Sequence, residues 1–293
     1  MDATAILQTF LLSLTVAGLY AAIASGLTLE FGVTHIVNFA HGEFVMLGAY
    51  TTYFLYTILG VPPLFGMLIA GVVIGALSAV VYRAFLGRVL RQDEHNQILA
   101  TIGLSILMVN LAVILWSPNA RALQAPSVLP AVTILGATVP GNNVLVLLVG
   151  LALYLGLVLF LAHTRTGTQL RLASDDPELA IYAGVNVDRM FALSFIIGGA
   201  TAGVAGGLVA LVLYVQPGVG TDLVVRAFAI VALGGMGSIP GALVGAVALS
   251  LAESAMSTFI PGGASWGFGV AFVILVLVLI IRPSGLFGRE IRA

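Results

Sequence analysis

The chain has 293 residues, of which 60% are hydrophobic and 8% charged, with a net charge of −1 and a mean hydropathy of +1.14. A soluble domain carries about 25% charged residues, so this chain is solvated mainly by lipid. There is no basic stripe interleaved with aromatics, which excludes a nucleic-acid partner, and there is no cysteine, which excludes a disulfide framework or a thiolate site.

The N-terminus, "MDATAILQTF", has no basic n-region and no clear small-x-small cleavage site, so the first apolar run is expected to stay as a span. Roughly 20 apolar residues cross a bilayer as a helix. Runs of that kind lie at 5–29, 36–59, 64–86, 97–117, 143–163, 190–214 and 265–281, and a longer apolar region, 223–259, is interrupted by "GGMGSIPG". The polar connections are a loop at 118–142 and a loop at 164–189. The expectation is an all-α polytopic membrane protein, one domain over 1–293, with about 7–8 transmembrane helices and a re-entrant or broken helical hairpin near 223–259.

All eleven basic residues are arginines, and nine form three clusters: Arg83, Arg88 and Arg91; Arg165, Arg171 and Arg189; Arg282, Arg289 and Arg292. The positive-inside rule puts all three in the cytoplasm, and the N-terminus outside. Three apolar regions separate the second cluster from the third, whereas an even number of crossings is needed. Making 223–259 re-entrant repairs the count. Residues 223–233 are about 16 Å of helix, half a bilayer, before the glycine break turns the chain back. The alternative is an ordinary kinked span with the C-terminus outside. By the same counting Glu30–His35 lies inside.

The stretch "NFAHGEFVMLGAY" puts Asn38, His41 and Glu43 within an apolar segment. Catalysis is a poor fit. His41 and Glu43 are not at the helical i, i+3 or i+4 spacing of metal ligands, and neither G-x-S-x-G nor H-E-x-x-H occurs. Two compatible roles remain: tying helix ends together, or lining a pathway. Ionisable groups in a membrane pair within the bundle or face water. A broken, glycine-rich element facing a similar one at Gly234, Gly235 and Gly237 is the pattern of transporters. Asp222 and Arg226 are spaced as an intrahelical pair, and Glu253 is either a buried anchor or an outer-vestibule carboxylate. The glycines of 198–207 serve close helix packing.

In the 164–189 loop, Asp176-Pro177-Glu178 is a helix start and Gly184 a stop, giving a short helix at about 177–183, after which Asn186 or Asp188 caps the next membrane helix. So short a helix is not stable alone, and something must pack on it. It is either a surface helix or a docking knob for a cytoplasmic partner.

"GLTLEFGVTHIVNFAHGEFVMLGAY", "ASDDPELAIYAGVNVDRMFALSFIIGGATAGVAG" and "AIVALGGMGSIPGALVGA" together resemble the permease subunits of branched-chain amino acid ABC importers, the first-permease type, over about 20–285. The resemblance implies a bacterial inner-membrane subunit that moves branched-chain or other small neutral amino acids. It also implies a heterodimer with a second homologous permease, two cytoplasmic ATPase subunits and a periplasmic substrate-binding protein. The loop carrying Asp175, Asp176, Pro177, Glu178, Leu179 and Tyr182 corresponds to the segment that couples permease to ATPase. No Walker motif is present, so ATP and Mg are expected on partner chains, with no cofactor, metal or catalytic residue here. Permeases for urea, short amides and small carboxylates are closely similar. A self-contained channel or secondary transporter is the alternative class, and it has no need of a capped cytoplasmic knob.

Overall fold

The computed structural model describes residues 3–89, 92–282 and 284–288; Arg91, Arg289 and Arg292 of the arginine clusters lie outside the described residues. The order is α1 (Ala3–Thr34), α2 (His41–Leu59), α3 (Pro63–Val81), α4 (Gly87–Val89), α5 (Glu94–Trp116), α6 (Gly141–His163), α7 (Arg165–Asp175), α8 (Pro177–Tyr182), α9 (Val187–Val212), α10 (Val219–Gly234), α11 (Ile239–Phe259) and α12 (Gly267–Ile281). A π-helical turn, Tyr82–Leu86, joins α3 to α4. Among the described residues six helices are long and apolar enough to cross a membrane, α3 and α4 counting as one, and the shorter α12 is also apolar.

α1 and α9 form the centre. Both are rich in Ala, Gly, Ser and Thr, so neighbouring backbones approach closely on every side. α1 packs on α6, α9 and α11, and α9 packs on α2 and α3. The glycines Gly203, Gly206 and Gly207 meet Ala70 and Gly71, Val45 and Gly48, and Thr52 and Met67. That is the packing role their spacing suggested. α5 and α12 are peripheral, with rows of exposed Leu, Ile and Val.

Two boundaries around the first break differ from the hydropathy reading. α1 continues to Thr34, α2 begins only at His41, and residues 35–40 are not helical. Counting one bilayer thickness cuts α1 short, because its extra length lies buried inside the bundle. The 118–142 loop contains an antiparallel hairpin of β1 (Val132–Ile134) and β2 (Ala137–Val139). Gln8 on α1 holds it, donating to Thr138 O and accepting from Thr138 N, each at 2.7 Å.

The 223–259 region is a helical hairpin, α10 and α11, closed by Gly235 and Gly237 at positive φ (102° and 83°) with Ser238 capping α11. Its depth differs from the half-bilayer reading. The turn packs on Gly32, and Ser174 of α7 donates a hydrogen bond to the Gly32 carbonyl, so the turn lies at the end of the bundle that carries α7. Residues after α12 reach the same end, where Leu286 N and Phe287 N donate to Leu233 O and Gly234 O. At that end Tyr82 OH also donates to Asp188 O, linking the far end of α3 to the start of α9. The described arginines of the three clusters therefore gather at one end. The connection from α9 to α10, residues 213–218, explains the short helix. Val215 pairs with Arg121 in the loop after α5, and a turn closed by Val219 N donating to Gln216 O leads straight into α10.

Asp222 and Arg226 do not form the expected side-chain pair. Arg226 Nε bonds Glu253 Oε1 at 2.9 Å and its Nη1 donates to the Asp222 carbonyl. Tyr20 OH donates to Glu253 Oε2 at 2.6 Å. Glu253 is thus an anchor joining α1, α10 and α11, and its longer-range partner outcompetes the local spacing.

Candidate functional site: the break between α1 and α2

Glu30 was expected in the cytoplasm and is fully buried instead. It is the centre of a knot. Asn38 Nδ2 donates to Glu30 Oε2 at 2.8 Å, and His41 Nδ1 meets Glu30 Oε1 at 3.2 Å. His41 Nε2 faces the Ile23 carbonyl at 3.2 Å, and Asn38 Oδ1 accepts from Ala40 N. A carbonyl at Nε2 requires a hydrogen there. The Glu30–His41 pair is tolerated without water because every polar atom in it is used.

The local chain explains the arrangement. Thr34 Oγ1 donates to the Glu30 carbonyl and accepts from Ile36 N, and His35 turns the chain with φ 56°, so helix α1 stops there. Residues 35–40 return toward the bundle, with Thr101 of α5 donating to the Val37 carbonyl. His41 then starts α2 beside Gly26 and Thr201, and Thr201 is near the middle of α9. The broken segment and the start of α2 are therefore at mid-depth in the bundle.

Glu43 is separate from the knot and also fully buried. Its Oε1 accepts from Ser105 Oγ of α5 at 3.0 Å and from Thr221 Oγ1 of α10 at 3.1 Å. Its Oε2 has no hydrogen-bond partner among the described residues. It lies in the first turn of α2, where the helix dipole favours a carboxylate. The start of α10 rests on the start of α2 through Gly220 and Gly42, where a Cβ on either residue would collide with the other's backbone. Two helix beginnings thus meet around one carboxylate.

The predicted trio divides between these two places: Asn38 and His41 in the knot, Glu43 between α5 and α10. Gly234, Gly235 and Gly237 do not join them; they form the hairpin turn at the arginine-bearing end. Sequence reasoning missed Glu30, Ser105 and Thr221. A carboxylate in "GLTLEFG" was a signal for Glu30, hidden by ending the first span at residue 29. Nothing in the sequence singles out Ser105 or Thr221. Among the described residues no group of three His, Asp or Glu is placed to hold a metal ion.

In the 164–189 loop the expected short helix is present as α8. Asp176 Oδ1 accepts from Leu179 N at 2.9 Å, Pro177 is the first helical residue, and Gly184 has φ 78°. Asn186, not Asp188, supplies the side-chain cap of α9. Asp175 ends α7. Ala180 is buried in a cluster with Leu170, Ala173 and Met190, while Leu179, Ile181 and Tyr182 are 53%, 63% and 87% exposed.

An apolar helix bundle whose chain breaks at mid-depth around satisfied polar groups has the build of a membrane permease. Residues 9–279 match the family described as branched-chain amino acid transport system / permease component, and the chain belongs to that family. Among its relatives is the high-affinity branched-chain amino acid transport system permease protein LivH of Salmonella typhimurium, 30% identical over 97% of this chain and 96% of the relative. BraD of Pseudomonas aeruginosa is 32% identical with the same coverage, and a probable LivH of Methanocaldococcus jannaschii is 28% identical over 94% of this chain and 90% of its own. The solved structure of PsaBC from Streptococcus pneumoniae in complex with Fab has the same fold, with a TM-score of 0.53 at 14% identity, covering 98% of this chain and 95% of that one. The protein is a multi-pass membrane transport subunit.

Proposed function

We propose that this chain is the translocation subunit of an ATP-driven importer for branched-chain or other small neutral amino acids, working in the bacterial inner membrane. A second homologous permease pairs with it, two ATPase subunits dock on the cytoplasmic side, and a periplasmic binding protein delivers substrate. ATP and Mg are held by the partner subunits, and this chain carries no cofactor of its own.

The observation that carries the reading is α8. It is capped at both ends, seated on the subunit through Ala180, and presents Leu179, Ile181 and Tyr182 outward. A six-residue helix is not stable alone, so explicit caps and three outward apolar side chains fit a partner groove. Each such side chain contributes roughly 1.5–3 kcal/mol when buried. The loop holding Asp175, Asp176, Pro177 and Glu178 sets this knob at the arginine-bearing end, the cytoplasmic end by the positive-inside rule. A channel working alone has no use for it.

The pathway reading rests on Glu43. Its donors are at the surface: Thr221 is exposed and Ser105 half-buried, at the depth where α2 begins. Hydroxyls and a carboxylate at mid-depth suit a face toward protein and water rather than lipid, so this face suits the interface with the second permease. The test is co-purification of the ATPase with a Leu179→Asp/Tyr182→Asp variant. The expected outcome is loss of the ATPase with membrane insertion unchanged; full retention contradicts the proposal.

A further inference from the structure

We infer that Glu43, under Ser105 and Thr221, is a binding site for the ammonium group of the passing substrate. The inference rests on the amino acid reading above and adds to it a named receptor for one end of the zwitterion.

Three observations carry it. Glu43 is fully buried, yet among the described residues no arginine or histidine bridges it, and its Oε2 has no hydrogen-bond partner at all. A buried carboxylate with an unused oxygen and no counter-charge is costly, and a cation relieves that cost. The contrast with Glu30 and Glu253 is informative, because each of those has a histidine or an arginine bonded to it and both oxygens used. Glu43 alone among the three is left short of positive charge.

The second observation is what covers it. Among the described residues the donors to Glu43 are two neutral hydroxyls, from two different helices, and both sit on the same single oxygen. Both hydroxyl side chains turn by rotation about one bond, so they are replaced without unfolding a helix. The third is position. Gly220 lets α10 rest on Glu43 with no side chain between them, at the place where α2 and α10 both begin. A small outward movement of α10 or α5 therefore opens the carboxylate to the exposed face that bears Thr221.

An ammonium has three donors and a full charge, against one donor and none for each hydroxyl. Charge-assisted hydrogen bonds are roughly twice as strong as neutral ones, so an arriving ammonium displaces Ser105 and Thr221 from Glu43. The hydroxyls act as a latch that a cation releases. An inorganic divalent ion does not fit, since among the described residues no group of three carboxylates or histidines is gathered to hold one.

The test uses the assembled importer in proteoliposomes, with a single cysteine replacing exposed Gly218, one turn before Thr221 and free of neighbours within 4 Å. The natural chain has no cysteine, so the maleimide adduct on this subunit, separated from its partners after labelling with a membrane-impermeant maleimide, reports this site alone. L-Leucine is expected to slow labelling severalfold, while its 2-oxo acid, with the same side chain and carboxylate but no ammonium, leaves the rate unchanged. Glu43→Gln is expected to abolish the protection. As a variant that keeps the carboxylate, Ser105→Ala/Thr221→Val is expected to lower the leucine concentration for half-protection by about three- to tenfold, because the competing donors are gone. Equal protection by the oxo acid, protection by sodium chloride alone, protection that persists in Glu43→Gln, or an unchanged half-protection concentration in the double variant each overturns the site. If the unsubstituted complex takes up no branched-chain amino acid, the parent reading falls and this site with it; normal uptake with unaltered protection in Glu43→Gln overturns the site alone.

Discussion

At the scale of single residues, three carboxylates inside the bundle are held in three ways. Glu253 is neutralised by Arg226, Glu30 is bonded to His41 and Asn38, and Glu43, among the described residues, has only hydroxyls. Different consequences follow for substitution. Glu30→Ala strands Asn38 Nδ2 and His41 Nδ1 without acceptors, and breaking a buried pair in this way costs about 3–5 kcal/mol. A clear fall in the thermal midpoint of the purified subunit is expected. A Glu30→Met/His41→Leu double variant is expected to be less destabilised than the sum of its parts, because the two act as one unit. Glu43→Gln keeps shape and loses charge; it is expected to assemble near-normally and to transport more slowly. Wild-type transport by Glu43→Ala would reduce Glu43 to a packing feature. Asn38, His41 and Glu43 were legible as polar exceptions in an apolar run. Their partners were not, because hydrogen bonds between residues eight to 178 positions apart, across a break or between helices, leave no spacing to read.

Among the elements, the short helices carry most of the meaning. α8 was legible in full, since Asp176, Pro177 and Gly184 act through local backbone chemistry that sequence records directly. The hairpin at 223–259 was legible as a break, and its glycines do take the positive φ that a tight turn requires. Its depth was not legible, because length and hydropathy mark a break without saying how deep in the bundle it lies. The same holds for α1, whose last turns are set by burial rather than by bilayer thickness. The contact between α2 and α10 gives a sharp comparison. Gly220→Ala puts a methyl group against Glu43 and the Gly42 backbone, while Gly218→Ala, two residues earlier, meets nothing within 4 Å. Overpacking costs about 1–3 kcal/mol. Gly220→Ala is expected to lower both the thermal midpoint and transport, and Gly218→Ala neither. Equal behaviour of the two variants would show that the close approach is not needed.

For the whole molecule, arginine placement and helix connectivity agree. The described members of all three clusters lie at one end, the end that also carries α8, the hairpin turn and the backbone bonds from Leu286 and Phe287. Four helices, α9 to α12, connect the second cluster to the third, the even number that the positive-inside rule demands. Single cysteines test this in intact cells and inverted vesicles: Arg165→Cys is expected to react only from the cytoplasmic side and Arg121→Cys only from outside. The reverse pattern would invert the orientation and move α8 away from any ATPase. Fold class was legible because hydropathy is a property of long segments. The face between α5 and the start of α10 was not, because it depends on how segments far apart in the chain assemble. The most direct measurement is ATP-dependent uptake of labelled L-leucine into proteoliposomes holding this chain, the second permease, both ATPase subunits and the binding protein, compared with the same complex carrying Leu179→Asp/Tyr182→Asp. Uptake that requires ATP and is lost in the variant is the predicted result; uptake independent of ATP, or unchanged in the variant, would contradict the account.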